Sequence, residues 1–194
     1  MRGMHEDGEK NLPGISSNDL LDAFRSSLNC LRQARVRYAL IGAWALAVWG
    51  RPRATTDLDI LVMVDEANLG RLAERMVRVG MEIDETWIEW NPLLKGSQLR
   101  LRFRDAAVDL LRARDAHDRD AVRRRHRKRL AGRYPCVVAA DDFILQKLKV
   151  GRPRDFEDAL SVLERSSAQL DSRYLWKWAR KLRVTEELDY LVNL

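Results

Sequence analysis

The segment that decides the fold covers residues 40–62 and reads LIGAWALAVWGRPRATTDLDILV. Gly42 ends a short apolar strand and opens an equally short apolar helix, which runs to Trp49. Residues 56–64 begin with alternating polar and apolar side chains and finish as an apolar run. That change of pattern is typical of a strand in the centre of a sheet. The segment therefore predicts a strand, a short helix and a central strand in succession.

Three aspartates lie within the predicted strands. Asp57 and Asp59 are two residues apart, so their side chains share one face of a strand, with Cα atoms about 6–7 Å apart. Asp109 lies in a later apolar strand, residues 107–111. Three carboxylates on neighbouring strands form a hard-oxygen site that suits Mg²⁺ (or Mn²⁺) and the chemistry of phosphoryl or nucleotidyl transfer.

Each of these features also has a purely structural interpretation. An Asp-x-Asp pair at the start of a strand is often a solvated turn, and Asp109 can face water or pair with an arginine. Gly42 lets backbone amides approach a phosphate at the start of a helix, although glycine is common at such junctions. The residues taken alone leave both interpretations open.

The order of these residues resembles the core motif of the DNA polymerase β-type nucleotidyltransferase superfamily. That motif has a glycine with a small partner at the start of a helix, then Arg-x-Thr-x-Asp-x-Asp, then a third carboxylate on a later strand. The matching residues are Gly42, Ala43, Arg53, Thr55, Asp57, Asp59 and Asp109. Many members have Gly-Gly or Gly-Ser where this chain has Gly42-Ala43, and Ala43 has no hydroxyl for a phosphate oxygen.

The resemblance implies an α+β (mixed α/β) fold, in which helices flank a mixed, mostly antiparallel sheet. It also implies that the three aspartates are catalytic and hold Mg²⁺ (or Mn²⁺), with Asp109 helping to activate the acceptor. A nucleoside triphosphate would bind at Gly42, Ala43, Arg53 and Thr55. Arg53 has the alternative role of a structural partner for a core carboxylate, and Thr55 that of an ordinary residue at the edge of a strand.

A second match covers residues 142–158, which read DFILQKLKVGRPRDFED. This stretch resembles the Lys-Leu-x-x-x-Arg-x-x-Asp-x-x-Asp segment of the AbiEii/MenT-like branch, which includes toxin nucleotidyltransferases. The matching residues are Lys147, Leu148, Arg152, Asp155 and Asp158. The resemblance implies that Lys147 and Arg152 bind the nucleotide and that Asp155 orients Lys147 or deprotonates the acceptor. Arg152 serves equally well as a structural partner of Asp155 or Asp158, and Asp155 as an acidic residue in the first turn of a helix.

The pattern along the chain predicts a flexible leader (1–15), a mixed α/β core (16–140) and a C-terminal helical subdomain (141–194), and the resemblance implies that the core is the nucleotidyltransferase part. In the core we predict helices over 17–35, 66–79 and 115–130, and further strands over 81–87, 98–103, 107–111 and 136–139. In the subdomain we predict helices over 141–150, 153–165, 171–182 and 185–192, with Asp141 and Asp171 as caps and Pro153 in a first turn.

The positive charge is concentrated in one segment. The 194-residue chain has a formal charge of +6, while residues 112–133 alone contain ten basic and three acidic residues. If the basic run lies on one helix, its charges surround that helix, and an RNA backbone would relieve their repulsion. An acidic antitoxin or a non-specific patch would fit equally well, and the purely structural interpretation of the run is a solvated helix face. The predicted RNA-binding residues are Arg123, Arg124, Arg125, Arg127, Lys128 and Arg129.

The longest uncharged run, residues 38–50, is too short to span a bilayer, and the polar N-terminus is not a signal peptide. Two cysteines cannot form a disulfide framework, so we expect a cytoplasmic protein without a membrane partner.

The predicted function is Mg²⁺-dependent transfer of an NMP from an NTP (EC 2.7.7 type) to an RNA hydroxyl. The acceptor would be a tRNA 3′ end, and the protein the toxin of a toxin–antitoxin system. Alternatives are AMPylation of a protein, modification of a small-molecule or antibiotic hydroxyl, and an inactive nucleotide- or nucleic-acid-binding module.

Overall fold

The computed structural model describes residues 18–194. The predicted leader (1–15) and the first residues of the predicted core lie outside the described residues. The helices are α1 (Asn18–Gln33), α2 (Gly42–Trp49), α3 (Glu66–Val77), α4 (Glu85–Trp90), α5 (Ala116–Arg124), α6 (Ala140–Val150), α7 (Pro153–Ser166), α8 (Ser172–Leu182) and α9 (Thr185–Val192). The strands are β1 (Tyr38–Leu40), β2 (Asp57–Val62), β3 (Glu82–Ile83), β4 (Gln98–Phe103), β5 (Ala106–Arg112), β6 (His126–Arg127) and β7 (Cys136–Val137).

Within the described residues, the strands form one sheet in the order β3-β4-β5-β2-β1-β7-β6. The β2–β5 and β1–β7 pairs are parallel, and the other four pairs are antiparallel. The predicted α+β fold with a mixed, mostly antiparallel sheet is therefore confirmed. None of the described helices is both long enough and apolar enough to cross a membrane.

Residues 40–62 form the centre of the core. The α2 helix is apolar on all sides, and it packs against β2, α6 and α7. The Trp44 ring stacks on Phe24 with 4.5 Å between centroids, and its indole N–H donates to the Asp57 carbonyl at 3.0 Å. This bond fixes where β2 begins relative to α2, and so where the first of the predicted metal ligands lies.

The four C-terminal helices pack on one another and on the core: α6 contacts α7 and α8, while α7 contacts α2. Pro153 occupies the first turn of α7, and Asp171 caps α8 by accepting the Tyr174 N–H at 3.0 Å, as predicted. Asp141 is not a cap. Asp141 lies inside α6, and its buried carboxylate accepts the Asp171 N–H at 2.8 Å. This hydrogen bond joins α6 to the start of α8.

Two other predicted elements are wrong. The strand predicted over 81–87 stops after Ile83, because Asp84 accepts the Trp87 N–H at 3.0 Å and starts α4. The helix predicted over 115–130 stops at Arg124, where Arg125 turns to φ −47°, ψ 147°. His126 and the residue after it then pair with β7, so the basic run does not surround one helix.

Candidate active site

The three predicted metal ligands come together on two neighbouring strands. Asp57 and Asp59 lie on β2, and Asp109 lies on the parallel strand β5 directly opposite Asp59. One carboxylate oxygen from each residue lies within 4.8 Å of the other two. Asp109 is buried and the other two are half-buried. Three converging carboxylates of this kind fit one or two hard divalent cations such as Mg²⁺.

The Asp59 carboxyl shows the electrostatic cost of this arrangement. Burial, followed by the negative charges of Asp57 and Asp109, raises its pKa from 3.8 to about 7. The nearby cations Lys147 and Arg100 act in the opposite direction but do not restore the ordinary value. The positive charges near Asp59 therefore do not balance the three carboxylates. A divalent cation bound between them would supply the missing positive charge.

Gly42 lies against the Asp59 carboxylate. It adopts φ +59°, and a Cβ at this position would overlap the Asp59 Oδ2 atom. The preceding Ile41 donates its N–H to the Asp59 carbonyl at 3.1 Å and provides no side-chain cap for α2. In the part of the chain that the structure describes, no side chain caps α2, so its first amides, including that of Ala43, are available to a phosphate.

The predicted nucleotide-binding residues Arg53 and Thr55 contact carboxylates. The buried Thr55 hydroxyl donates to the Asp57 carboxylate and so fixes the orientation of a predicted metal ligand. Arg53 donates through Nε and NH2 to Asp158, with both distances at 3.1 Å. Burial would raise the pKa of Asp158, but the hydrogen bonds from Arg53 and Lys147 outweigh it and hold that pKa below its usual value. Arg53 thus has the structural partner that the sequence left open.

Lys147 lies between two carboxylates of α7. Its Nζ is 2.7 Å from Asp155 Oδ1 and 2.8 Å from Asp158 Oδ2, and its side chain is 12% exposed. The second oxygen of Asp155 accepts the backbone N–H of Arg152 at 3.3 Å. The Asp155 carboxylate thus connects the Lys147 ammonium group to the first turn of α7. The Arg152 side chain is exposed and forms no ion pair with residues 18–194.

Sequence reasoning missed Arg100. This residue lies opposite Asp109 on β4, and its Nε and NH2 donate to the two Asp109 oxygens at 2.8 and 2.6 Å. The Trp87 ring covers the guanidinium, with 5.0 Å from its centroid to Cζ. The alternation of β4 places Arg100 on a face, but only the strand register reveals which carboxylate it meets. Asp109 thus pairs with an arginine, the alternative that the sequence left open.

The predicted RNA-binding run does not form one surface. Arg124 points inward, where it donates to Asp141 at 2.6 Å and lies over the Tyr174 ring. Arg125 donates to a carbonyl of its own helix at 2.6 Å, and Lys128 is half-buried. The exposed members of the run are Arg123, Arg127 and Arg129.

The fold is similar to solved nucleotidyltransferase structures. The structure of ANT(2″)-Ia in complex with adenylyl-2″-tobramycin matches with 14% identity and TM-score 0.58, over 84% of this chain and 96% of that one. The lincosamide antibiotic adenylyltransferase LnuA, lincomycin-bound, matches with 15% identity and TM-score 0.53, over 77% and 97%. An antigenic nucleotidyltransferase-like protein from Paracoccidioides brasiliensis matches with 15% identity and TM-score 0.55, over 92% and 94%. No family model and no curated protein matches the sequence. At these identities the similarity establishes the fold.

We predict that Asp59→Asn stabilises the metal-free protein at alkaline pH. The folded-state pKa of Asp59 is about 7 and its ordinary value is 3.8, so protonated Asp59 contributes stability that is lost as pH rises through 7. In EDTA at pH 8 the variant should melt roughly 5 °C above the wild type, whereas at pH 4 the two proteins should melt at the same temperature. The exposed Asp105→Asn is the control. An equal shift at both pH values would contradict the assignment.

We predict that Gly42→Ala displaces the Asp59 carboxylate, because the added Cβ overlaps its Oδ2 atom. Mn²⁺ affinity, measured calorimetrically, should fall by about tenfold or more, as expected when one carboxylate ligand is lost. Gly70→Ala is the matched control, since a Cβ at Gly70 meets nothing within 4 Å. Unchanged Mn²⁺ binding by Gly42→Ala would show that Asp59 is not a ligand.

Arg100→Met should lower the melting temperature of the metal-free protein, because three close carboxylates lose a cationic partner. For the same reason Mn²⁺ should bind the variant several-fold more tightly and raise its melting temperature more than that of the wild type. Arg102→Met is the control, since Arg102 lies on the same strand and is exposed. Equal Mn²⁺ affinity in both variants would show that Arg100 does not compete with the cation.

Proposed function

We propose that the protein is a Mg²⁺-dependent nucleotidyltransferase that moves an NMP from an NTP to an acceptor hydroxyl. The observation that carries this proposal is the convergence of Asp57, Asp59 and Asp109 beside the start of α2, within the fold described above. Metal-holding carboxylates next to free helix amides provide for both the cation and the phosphates of the same substrate.

In the proposed reaction the acceptor oxygen attacks the α-phosphorus, the bond to the β-phosphate oxygen breaks, and pyrophosphate leaves. Mg²⁺, when bound by the three aspartates, would neutralise the triphosphate and favour ionisation of the acceptor hydroxyl. The amides of Gly42 and Ala43 would donate to the phosphates. Asp109 would accept the acceptor proton once Arg100 releases it.

Lys147 and Thr55 have supporting roles in this proposal. Lys147 would contribute positive charge to the phosphates, and Asp155 and Asp158 hold its ammonium group in place. Thr55 keeps the Asp57 carboxylate turned toward the other two. Arg152, which is exposed at the start of α7, is available for a phosphate of the nucleotide.

We further propose that the acceptor is the 3′ end of an RNA, and specifically of a tRNA. We also propose that the protein is a toxin with an antitoxin partner. Two features support this: the AbiEii/MenT-like order of Lys147, Arg152, Asp155 and Asp158, and the net charge of +6. A polyanionic acceptor suits that charge better than a small cationic one does.

An antibiotic hydroxyl is the second candidate acceptor. Its support is the similarity to the ANT(2″)-Ia and LnuA structures, which covers most of the chain in both cases. The two candidates share the chemistry at the three aspartates and differ only in the group that receives the nucleotide.

The test is incubation with each α-labelled NTP and Mg²⁺ together with total RNA, cell protein, tobramycin and lincomycin. We expect label on RNA, and we expect Asp57→Asn to reduce the transfer at least 10³-fold, because it removes a metal ligand. Asp105→Asn, on the exposed turn after β4, should transfer normally. Label on protein or on an antibiotic would show that this molecule, and not RNA, is the acceptor.

Label on none of the acceptors would favour an inactive binding module instead. The toxin role has its own readout: expression of the wild type should arrest growth of a host, and Asp57→Asn should not. Growth arrest by both proteins would contradict a role for nucleotidyl transfer in toxicity.

A further inference from the structure

A second cleft lies at the opposite end of the sheet from the three aspartates. Asp57 begins β2, whereas the cleft starts at Met63, just after β2 ends, which places it about 20 Å along the strand. One wall is the turn between α1 and β1, and the other is α3. The cleft encloses about 730 Å³. We refer to it as the arginine cleft, after Arg35, Arg37, Arg71 and Arg75, which line it.

Among residues 18–194, the carboxylates at the arginine cleft do not balance its positive charge. All four arginines are exposed, and the carboxylate among the lining residues is that of Asp65. Asp65 caps α3: one of its carboxylate oxygens accepts the backbone N–H of Asn68 at 2.7 Å, and the other accepts the side-chain amide of Asn68 at 3.0 Å. The lining therefore carries a net charge of +3.

The individual guanidinium groups are correspondingly free. Arg71 donates to the neutral Asn68 side chain at 3.3 Å, and the other three form no side-chain hydrogen bond or ion pair with any residue from 18 to 194. Arg71 and Arg75 are four residues apart on one face of α3, where like charges repel. By contrast, Arg53, Arg100 and Arg124 elsewhere in the protein each have a carboxylate partner.

The walls of the cleft are held in place by the backbone. The Met63 N–H donates to the Arg37 carbonyl at 2.8 Å, and the Val36 N–H donates to the Leu31 carbonyl at 3.0 Å. The floor between the arginines includes the apolar side chains of Val36, Met63 and Leu72. A preformed groove with guanidinium groups above an apolar floor matches a ligand that alternates anionic groups with flat or apolar ones.

We propose that the arginine cleft binds a single-stranded segment of RNA. The guanidinium groups would pair with successive phosphates in the bidentate manner open to arginine but not to lysine, and the floor would contact sugars and bases. The choice of RNA among polyanions rests on the proposed function, in which RNA is the acceptor. The cleft would then hold the acceptor strand away from its reacting end, at a site separate from the three aspartates.

The test measures binding of a fluorescently labelled single-stranded RNA by anisotropy, without NTP, over a series of salt concentrations. Arg71→Gln/Arg75→Gln should weaken binding about tenfold at 0.1 M salt. It should also reduce the slope of log K against log[salt] by about 1.4, since each phosphate contact on a single strand contributes about 0.7. The matched control is Arg173→Gln/Arg180→Gln, which removes two exposed arginines from α8. Circular dichroism checks that both variants fold.

Three results would overturn the proposal. Equal loss of binding in the control pair would mean that only the net charge matters. Displacement of RNA by polyglutamate as readily as by unlabelled RNA would indicate a surface for an acidic protein. Displacement by ATP or pyrophosphate at matched concentration would indicate a site for a free phosphate group.

The outcome is separable from that of the proposed function. If the double variant loses RNA binding but the wild type transfers no label to RNA, the cleft stands and the acceptor assignment fails. If the wild type labels RNA and the double variant binds RNA with unchanged affinity and salt slope, the acceptor assignment stands and the cleft proposal is wrong.

Discussion

The structure depends on the placement of three carboxylates on adjacent strands at the centre of the sheet. The parallel register of β2 and β5 sets Asp59 opposite Asp109, and neither strand can slip by one residue without turning its apolar side chains away from the core. Burial, together with the negative charges of Asp57 and Asp109, raises the pKa of Asp59. Stability elsewhere in the core must offset this cost.

Ion pairs near the three carboxylates also connect two of the C-terminal helices to the core. Lys147 comes from α6, its partners Asp155 and Asp158 come from α7, and Arg53 comes from the segment before β2. These ion pairs are largely buried, so loss of one member would leave a charge without its partner. The network therefore couples the orientation of α7 to the start of β2. The positive charge of Lys147 also lowers the pKa of Asp59.

Local patterns predicted much of this arrangement, and contacts between distant segments account for the rest. The apolar run of β2, the glycine before α2 and the acidic pair at 57 and 59 are local features, and each lies where its pattern indicated. The Arg100–Asp109 pair depends on which residues of β4 and β5 face each other. A period of two places Arg100 on a face of its strand but carries no information about the register with a neighbour.

The charge pattern of the sequence likewise does not show which basic residues remain exposed after folding. A count along the chain assigns its excess to residues 112–133, but the fold turns Arg124 inward to Asp141 and ends α5 before the run is complete. The arginine cleft, in contrast, draws its four arginines from two segments that are far apart in sequence, so no window along the chain reveals it. A surface potential depends on which charges retain no partner after folding, and a linear charge count does not contain that information. Among residues 18–194, the four guanidinium groups of the cleft have no carboxylate partner, and they therefore support the proposed RNA site more strongly than the density of the basic run does.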